Sequence, residues 1–410
     1  MSIAPKRSST TRLKLRVSPV AETYVRQDHP WVFSDSIREQ NRPGIAGDFA
    51  VLYDRKDCFL AVGLFDPDSP IRVRILHAGK PTTIDDAFWQ TRLIASRERR
   101  SQLFDTTTTG YRWIHGESDG WPGVVLDRYA NTGVLKIYTA AWLPHLPAIV
   151  PRIVDVFALE RLILRTSRNI ESVAAKGPWP NQTILHGTPI TDPIVFLETG
   201  LAFEADVLRG QKTGFFLDQR ENRRWVESVA RGRRVLNAFS FSGGFSLYAA
   251  RGGAKSVTDL DLSAHALSSA RRNFALNTHI NTVHETTHEG IQTDAFAWLG
   301  ERRTAAYDLV ILDPPSLAKR ETERSGAIQA YQKLVISGCH QLTSSGILLA
   351  ASCSAHVSAS EFFDAVLRGV RSCGLEAEEL HRAQHPADHP ARFPEAEYLK
   401  CIALKLRPRR

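Results

Sequence analysis

The fold is decided by one stretch of the chain, Arg234-Val235-Leu236-Asn237-Ala238-Phe239-Ser240-Phe241-Ser242-Gly243-Gly244-Phe245-Ser246. It begins with apolar residues typical of a buried strand, turns at two glycines and continues into residues that suit a helix. Glycines let a backbone approach a ligand closely, and the first turn of a helix offers free N–H donors. The stretch therefore predicts a strand–turn–helix unit with a binding site at its turn.

An acidic strand end follows this unit. The run Ser256–Asp261 is predicted to be the next strand, and it closes with Asp259-Leu260-Asp261. A carboxylate at this place can accept hydrogen bonds from both hydroxyls of a ribose, as in nucleotide-binding βαβ units. Because the glycine pattern is not GxGxxG, an adenosyl ligand is favoured over a dinucleotide. The alternative is a purely structural turn, since ordinary β–α turns also use glycine.

Two further strand ends carry reactive side chains. The apolar run Tyr307–Leu312 is followed by Asp313-Pro314-Pro315-Ser316, and the apolar run 346–351 is followed by Ser352-Cys353-Ser354. Open α/β sheets bind ligands at the carboxyl ends of their strands, so a carboxylate and a thiol are expected beside one crevice. A thiolate there can attack an aromatic base. The alternative for Cys353 is a buried structural cysteine.

Asp294 is a further candidate for the same edge of the sheet. It lies in Gln292-Thr293-Asp294-Ala295-Phe296, at the expected junction of a strand with a helix. A carboxylate there can hydrogen-bond the amino group of an adenine. Its alternative role is to cap the helix that begins at Ala295.

The order of the predicted elements indicates the fold class. From residue 187 onward strands and helices alternate, which predicts an α/β fold with a doubly wound, Rossmann-like sheet. A final run, 396–406, is expected to be its antiparallel edge strand. Short alternating runs such as Leu13-Lys14-Leu15-Arg16-Val17 predict a small β-barrel before it, and a mixed α and β region with a helix over 85–104 lies between. We predict three domains: the barrel over 1–80, a middle α+β domain over 81–186 and the Rossmann-like domain over 187–410.

Composition limits the class of protein and its compartment. The chain has 410 residues, of which 43% are hydrophobic and 23% charged, values typical of a soluble globular protein. No apolar run is long enough to cross a membrane, so no membrane partner is expected. The five cysteines are scattered without CxxC spacing, which disfavours a zinc site or a disulfide framework and fits a reducing cytoplasm.

Charge favours a polyanionic partner. The formal net charge is +8, which suits nucleic acid, although basic residues spread over the whole surface need bind nothing. The first twenty-one residues contain no acidic side chain. They predict a basic, partly ordered amino terminus.

Several stretches together resemble one family. They are His29-Pro30-Trp31-Val32-Phe33, Gly116-Glu117-Ser118-Asp119-Gly120-Trp121-Pro122-Gly123 and Gly210-Gln211-Lys212-Thr213-Gly214-Phe215-Phe216-Leu217-Asp218-Gln219-Arg220, followed by the glycine turn, the Asp313 loop and the Cys353 turn. In this order they resemble the bacterial 23S ribosomal RNA cytosine-5 methyltransferases that carry an amino-terminal PUA domain. The resemblance covers nearly the whole chain. It implies a PUA domain, a middle domain and a class I methyltransferase domain that uses S-adenosylmethionine and acts on ribosomal RNA.

The resemblance also implies roles for individual residues. Those expected at the cofactor are Ser240, Gly243 and Gly244 at its methionine end, Asp261 at its ribose, Asp294 at its adenine, Asp313, and Asp218 and Arg220, which would close the site. Asn237 stands where most class I methyltransferases carry Asp, which leaves open how the amino group of the cofactor is held.

The implied reaction is methylation of carbon 5 of cytosine. Cys353 is expected to add to carbon 6 while Asp313 hydrogen-bonds or protonates ring nitrogen 3. Ser316 lies where many related enzymes carry an additional cysteine, so one cysteine must serve, and the base that removes the carbon 5 proton is not identified. No metal is expected, and the oligomeric state stays open, a homodimer included.

Three alternatives remain at this point. The chain could methylate another RNA position or a protein. It could be a non-catalytic RNA-binding factor in ribosome assembly that keeps the fold without the reaction. An NAD enzyme is disfavoured because GxGxxG is missing.

Overall fold

A computed structural model describes residues 12–301 and 306–409. The described chain divides into two compact units. One combines the described residues up to Asp105 with Tyr111–Asp192 and Asp206–Gly214, and the other combines Thr106–Gly110, Pro193–Ala205 and the described residues from Phe215 onward. The predicted basic amino terminus lies, for residues 1–11, outside the described residues.

The first unit begins with a six-stranded sheet of short strands and one helix, in the order β2-β6-β5-β4-β1-β3. Its elements are β1 Leu13–Val17, α1 Pro19–Arg26, β2 Trp31–Phe33, β3 Ile37–Gln40, β4 Phe49–Tyr53, β5 Phe59–Phe65 and β6 Ile71–Ala78. The alternation seen in the sequence corresponds to alternating burial in β1, where Leu13, Leu15 and Val17 are buried.

A five-stranded sheet with the order β11-β10-β9-β8-β7 follows. Its elements are α2 Asp86–Glu98, β7 Gly110–His115, β8 Val124–Tyr129, β9 Thr132–Ile137, α3 Leu146–Phe157, β10 Arg161–Thr166, α4 Glu171–Ala174 and β11 Ile184–His186. The helix expected over 85–104 begins where predicted, because Asp85 accepts a hydrogen bond from Phe88 N, but it ends earlier, at Glu98.

The second unit carries a two-stranded sheet and a mixed seven-stranded sheet. Its elements are β12 Ile194–Glu198, β13 Leu201–Ala205, α5 Arg220–Val229, β14 Arg234–Ala238, α6 Gly244–Arg251, β15 Ser256–Asp261, α7 Ala264–Leu276, α8 Asn281–Glu285, β16 Thr287–Gln292, α9 Ala295–Gly300, β17 Tyr307–Leu312, α10 Arg324–Gln341, β18 Leu342–Ser352, α11 Ala359–Ser372, β19 Leu375–Ala383 and β20 Lys400–Pro408. No helix of the described chain is long and apolar enough to cross a membrane.

The seven-stranded sheet has the order β16-β15-β14-β17-β18-β20-β19. The first five strands in this order pair in parallel. The sixth, β20, pairs antiparallel with β18, and β19 pairs antiparallel with β20. The expectation of an antiparallel edge strand over 396–406 is wrong in one respect: β20 is antiparallel but lies inside the sheet, and β19 forms the edge. The sequence did not reveal β19 because its side chains are mostly exposed and polar, which suits an edge strand but gives no apolar alternation.

Candidate active site

The glycine turn between β14 and α6 has a strained backbone. Phe239, Phe241 and Gly243 have φ angles of 62°, 48° and 72°, all in the left-handed region. Side chains other than glycine rarely adopt this conformation, and such strain clusters at functional sites. At Gly243 a Cβ atom would also lie 2.8 Å from the Cβ of Ala270, so this position requires glycine.

Asp261 clamps this turn from the end of β15. Its Oδ2 accepts a hydrogen bond of 2.8 Å from Phe241 N, and its Oδ1 accepts one of 2.8 Å from Ser263 N. A carboxylate offers about four acceptor sites, so two backbone donors leave capacity for further hydroxyl donors. Asp261, the residue predicted to bind the ribose, thus also fixes the shape of the turn.

A buried polar network lies beneath the turn. Asn237 Nδ2 donates to Ser246 Oγ at 3.0 Å and to Asp259 Oδ1 at 3.1 Å, while Asp259 Oδ2 and His288 Nε2 lie 2.8 Å apart. Both of these hydrogen bonds of Asn237 use its amide nitrogen, and its amide oxygen Oδ1 takes no part in the network. Asp259, which is fully buried, is the carboxyl group of this network.

Three buried oxygens, one in β14 and two in the turn, suit the binding of a polar ligand. Asn237 Oδ1, Ser240 Oγ and Ser242 Oγ are buried and have no hydrogen-bond partner among the described residues. Leaving a buried polar atom unpaired costs about 1–3 kcal/mol, so such atoms call for an explanation. An amide oxygen can accept from the ammonium group of S-adenosylmethionine, and hydroxyls can donate to its carboxylate. The residues present therefore fit this cofactor.

The remaining residues predicted at the cofactor occupy the expected junctions. Gly243 precedes α6 and Gly244 is its first residue. Asp294 caps α9, since its Oδ1 accepts from Phe296 N at 2.8 Å and from Ala297 N at 3.3 Å. The structure thus bears out the N-cap role that the sequence left open, while a contact of Asp294 with adenine stays a prediction.

Asp313 and Cys353 follow neighbouring parallel strands. Leu312, the last residue of β17, lies opposite Ala350 of β18, so the two loops begin side by side at the carboxyl ends of these parallel strands. Ser354 Oγ joins the loops, because it lies 3.1 Å from Ser316 Oγ and accepts a hydrogen bond of 3.1 Å from Leu317 N. The predicted meeting of the two strand ends is therefore present in the structure.

The serines on either side of Cys353 are fully buried and hold its turn. Ser352 Oγ donates to Tyr331 OH at 2.8 Å, and Tyr331 OH lies 2.8 Å from Ser354 Oγ. Burial raises the pKa of Tyr331, which keeps its hydroxyl protonated and able to donate. Cys353 itself is only partly buried. A thiol presented by a fixed turn suits a nucleophile better than a buried structural cysteine.

Lys400 is a member of this site that the sequence analysis missed. It begins β20, lies opposite Ser352 in the ladder and is 2% exposed. Its Nζ donates to the carbonyl oxygen of Ser354 at 2.6 Å. The available signal was a lone lysine in the run Leu399-Lys400-Cys401-Ile402, where a charge interrupts an otherwise apolar strand.

Asp218 and Arg220 are held by a second missed segment, which precedes β20. Tyr398 OH donates to Asp218 Oδ2 at 2.8 Å, and Arg220 Nη2 donates to Asp388 Oδ1 at 2.7 Å. Burial alone would lower the pKa of Arg220, but Asp388, Glu198 and Glu221 together more than offset it and the pKa is raised. Both predicted residues are thus buried in a polar network, and their role toward the cofactor stays a prediction.

His385 fixes the backbone that leads into Lys400. Its Nε2 accepts hydrogen bonds from Tyr398 N at 3.0 Å and Leu399 N at 3.1 Å. Burial lowers the pKa of His385 to about 4, with a smaller contribution from His389. The imidazole is therefore neutral at pH 7 and acts as an acceptor. Among the described residues, no group of three or more His, Cys, Asp and Glu side chains could hold a metal ion.

Comparison with known proteins agrees with this geometry. A family model described as S-adenosylmethionine-dependent methyltransferase matches residues 177–405, and one described as PUA-like domain matches residues 15–78. A ribosomal RNA large subunit methyltransferase of Deinococcus radiodurans is 56% identical and covers 97% of this chain and 98% of its own. Ribosomal RNA large subunit methyltransferase I of Shewanella frigidimarina is 33% identical and covers 96% of this chain and 99% of its own.

Solved structures show the same fold at lower identity. A Streptococcus mutans protein described as a SAM-dependent methyltransferase is 23% identical, has a TM-score of 0.80 and covers 96% of this chain and 99% of its own. A methyltransferase solved in complex with SAH is 23% identical with a TM-score of 0.81, with the same coverage.

Fold and site together define an α/β methyltransferase with an amino-terminal PUA-like domain, which confirms the predicted fold class. The chain belongs to the S-adenosylmethionine-dependent methyltransferase family, and S-adenosylmethionine is its cofactor.

Proposed function

We propose that this protein methylates carbon 5 of a cytosine in the RNA of the large ribosomal subunit, through a covalent adduct with Cys353. One observation carries the proposal. Asp313 and the partly exposed Cys353 follow adjacent parallel strands at their carboxyl ends, and Ser354 links the two loops by a hydrogen bond with Ser316. The names of the relatives from Deinococcus radiodurans and Shewanella frigidimarina support a ribosomal RNA substrate.

The cofactor is held at the glycine turn in this proposal. Ser240, Gly243 and Gly244 line its methionine end, and the unpaired Asn237 Oδ1 accepts from its ammonium group. Asp261 binds the ribose hydroxyls and Asp294 the adenine. When bound, S-adenosylmethionine supplies a methyl group on a positively charged sulfur.

The chemistry of cytosine explains why a thiol is needed. Carbon 5 is a poor nucleophile in the aromatic ring. The Cys353 thiolate forms a bond to carbon 6, and the electrons of the 5,6 double bond then make carbon 5 nucleophilic. Asp313 hydrogen-bonds or protonates nitrogen 3 and so stabilises the negative charge that develops in the ring. After methylation the carbon 5 proton leaves to a base, the double bond forms again and the thiolate is expelled.

The first unit contains residues that suit RNA. Tyr24, His29, Trp31 and Phe33 form a row of edge-to-face ring contacts, with centroids 5.6, 5.8 and 6.4 Å apart. Tyr24 is 53% exposed and Phe33 41%, so the ends of this row offer faces to stacking bases. The target cytosine must leave its stack to reach Cys353, which favours a loop or partly unfolded RNA.

The identity of the product tests the proposal. The protein is incubated with isotope-labelled S-adenosylmethionine and either free 23S ribosomal RNA or isolated large subunits, and the nucleosides are separated by mass spectrometry. The expected result is labelled 5-methylcytidine from one of the two substrates. Label in another nucleoside or in a ribosomal protein contradicts the assignment, and no label in either substrate despite measurable cofactor binding favours a non-catalytic assembly factor.

A further inference from the structure

Lys400 is a buried cation placed directly against the Cys353 turn. Lys400 contacts the residues on both sides of Cys353: it lies opposite Ser352 in the β18–β20 ladder, and its Nζ donates to the carbonyl oxygen of Ser354. The side chain thus crosses from the residue before Cys353 to the residue after it. The sheet and this hydrogen bond fix the lysine against the backbone of the Cys353 turn, and Lys400 interacts electrostatically with Cys353.

The charge of Lys400 is not balanced by this carbonyl. A buried ammonium is costly unless an anion lies near it. Burial lowers the pKa of Lys400 to about 8, and the strongest opposing attraction comes from Cys353, ahead of Glu397 and Glu361. Glu361 already pairs with Arg324, and Glu397 is exposed.

Two other titratable groups near Cys353 and Lys400, Tyr331 and His385, carry no charge that could stabilise a thiolate or balance the lysine. Tyr331 of α10 interacts electrostatically with Cys353, and His385, in the segment before β20, interacts with Lys400. Asp313, in the loop after β17, interacts with Cys401, the residue that follows Lys400. Tyr331 stays neutral because its pKa is raised, and the low pKa of His385 keeps that imidazole neutral. Lys400 is thus a cation of the described chain that interacts electrostatically with Cys353.

We propose that Lys400 is a positioning residue that holds Cys353 as a thiolate, poised for attack on carbon 6. The use of this ion pair in attack on carbon 6 rests on the proposed function, whereas the existence of the ion pair does not. The ammonium stabilises the thiolate before attack and keeps its own proton throughout. When the carbon–sulfur bond forms, the sulfur loses its negative charge and the attraction is lost. When the thiolate is expelled, the attraction returns, so Lys400 also favours release of the product.

Alkylation of Cys353 tests the pair without RNA or cofactor. The intact protein is treated briefly with iodoacetamide between pH 5 and 10, and the modified peptides are quantified by mass spectrometry. Exposed Cys58 serves as the internal reference. We expect Cys353 to reach half of its maximal rate at a lower pH than Cys58, because only the thiolate reacts.

Substitutions at Lys400 then identify the source of the effect. Lys400→Met keeps the length of the side chain without its charge, and it is expected to raise the half-maximal pH by at least about one unit, which lowers the rate at pH 7 about tenfold. Lys400→Arg should restore most of the rate. Lys405→Met, on the same strand opposite Ile347, is the matched control and should leave the profile unchanged.

The outcomes separate this proposal from the proposed function. An unchanged profile in a folded, cofactor-binding Lys400→Met variant overturns the pair. If that variant does not fold, the wild-type profile decides, since a half-maximal pH for Cys353 at or above that of Cys58 also overturns it. A shifted profile in an enzyme that makes no 5-methylcytidine supports the pair while contradicting the proposed reaction.

Discussion

The glycine turn and the Cys353 turn lie on the same edge of one sheet but are built differently. The glycine turn is held by nearby residues, such as Asp261, which is 20 positions from Phe241. The Cys353 turn depends on distant ones: Lys400 bonds to a carbonyl 46 positions away, and the adjoining segment reaches Asp218 across 180 positions. The first can be deduced from a short stretch of sequence, whereas the second exists only once the sheet has formed.

Loss of the thiol should separate the two regions most strongly. Cys353→Ala removes the nucleophile, so we expect methyl transfer to fall on the order of 10⁴-fold or more. Cofactor affinity, measured by calorimetry, should stay within about twofold because the glycine turn is untouched. Cys58→Ala is the control and should keep full activity. An active Cys353→Ala enzyme would rule out covalent catalysis.

Removal of the Asp261 carboxylate should have the converse effect. Asp261→Ala loses the acceptor for Phe241 N and the proposed ribose ligand, and charge-assisted hydrogen bonds contribute about 1.5–3 kcal/mol each. We expect cofactor affinity to fall roughly 10- to 100-fold, while the alkylation profile of Cys353 is preserved. Glu289→Gln, an exposed carboxylate on β16, is the matched control. Unchanged affinity in the Asp261 variant would exclude it from the cofactor site.

The smallest expected effect concerns the segment that leads into Lys400. The folded chain keeps His385 neutral down to about pH 4, whereas the unfolded chain protonates it below its ordinary value near 6.5. The unfolded state therefore binds more protons between these values, and the free energy of unfolding falls as pH is lowered through them. His385→Gln keeps an acceptor without titrating.

Urea unfolding at pH 7.5 and pH 5 measures this difference. The wild type should lose about 1 kcal/mol more than His385→Gln on acidification, a value reduced for partial exposure of the ring. Parallel losses in both proteins would show that His385 contributes nothing to the acid sensitivity of this region.

Much of the fold was predictable because its elements are locally encoded. Ser256–Asp261 and Ala264–Leu276 have the bounds that the sequence predicted, since apolar periodicity and a Ser263 cap specify them. The edge strand β19 was missed because its residues are polar and exposed. The helix expected to extend to 104 ends at Glu98, and no local signal in the sequence marked that end.

The sequence by itself determined which residues end the parallel strands: the glycine turn, Asp261, Asp313 and Cys353 all lie at carboxyl ends of strands, because apolar runs fix the strands and the next polar residue must leave the sheet. Only the tertiary structure decided which residues from distant parts of the chain contact these strand ends. Lys400 comes beside Cys353 because β20 pairs antiparallel with β18 in one particular register, with Lys400 opposite Ser352. A one-residue slip would turn Lys400 to the other face. That register is set by the packing of the whole sheet, which no short stretch of sequence specifies.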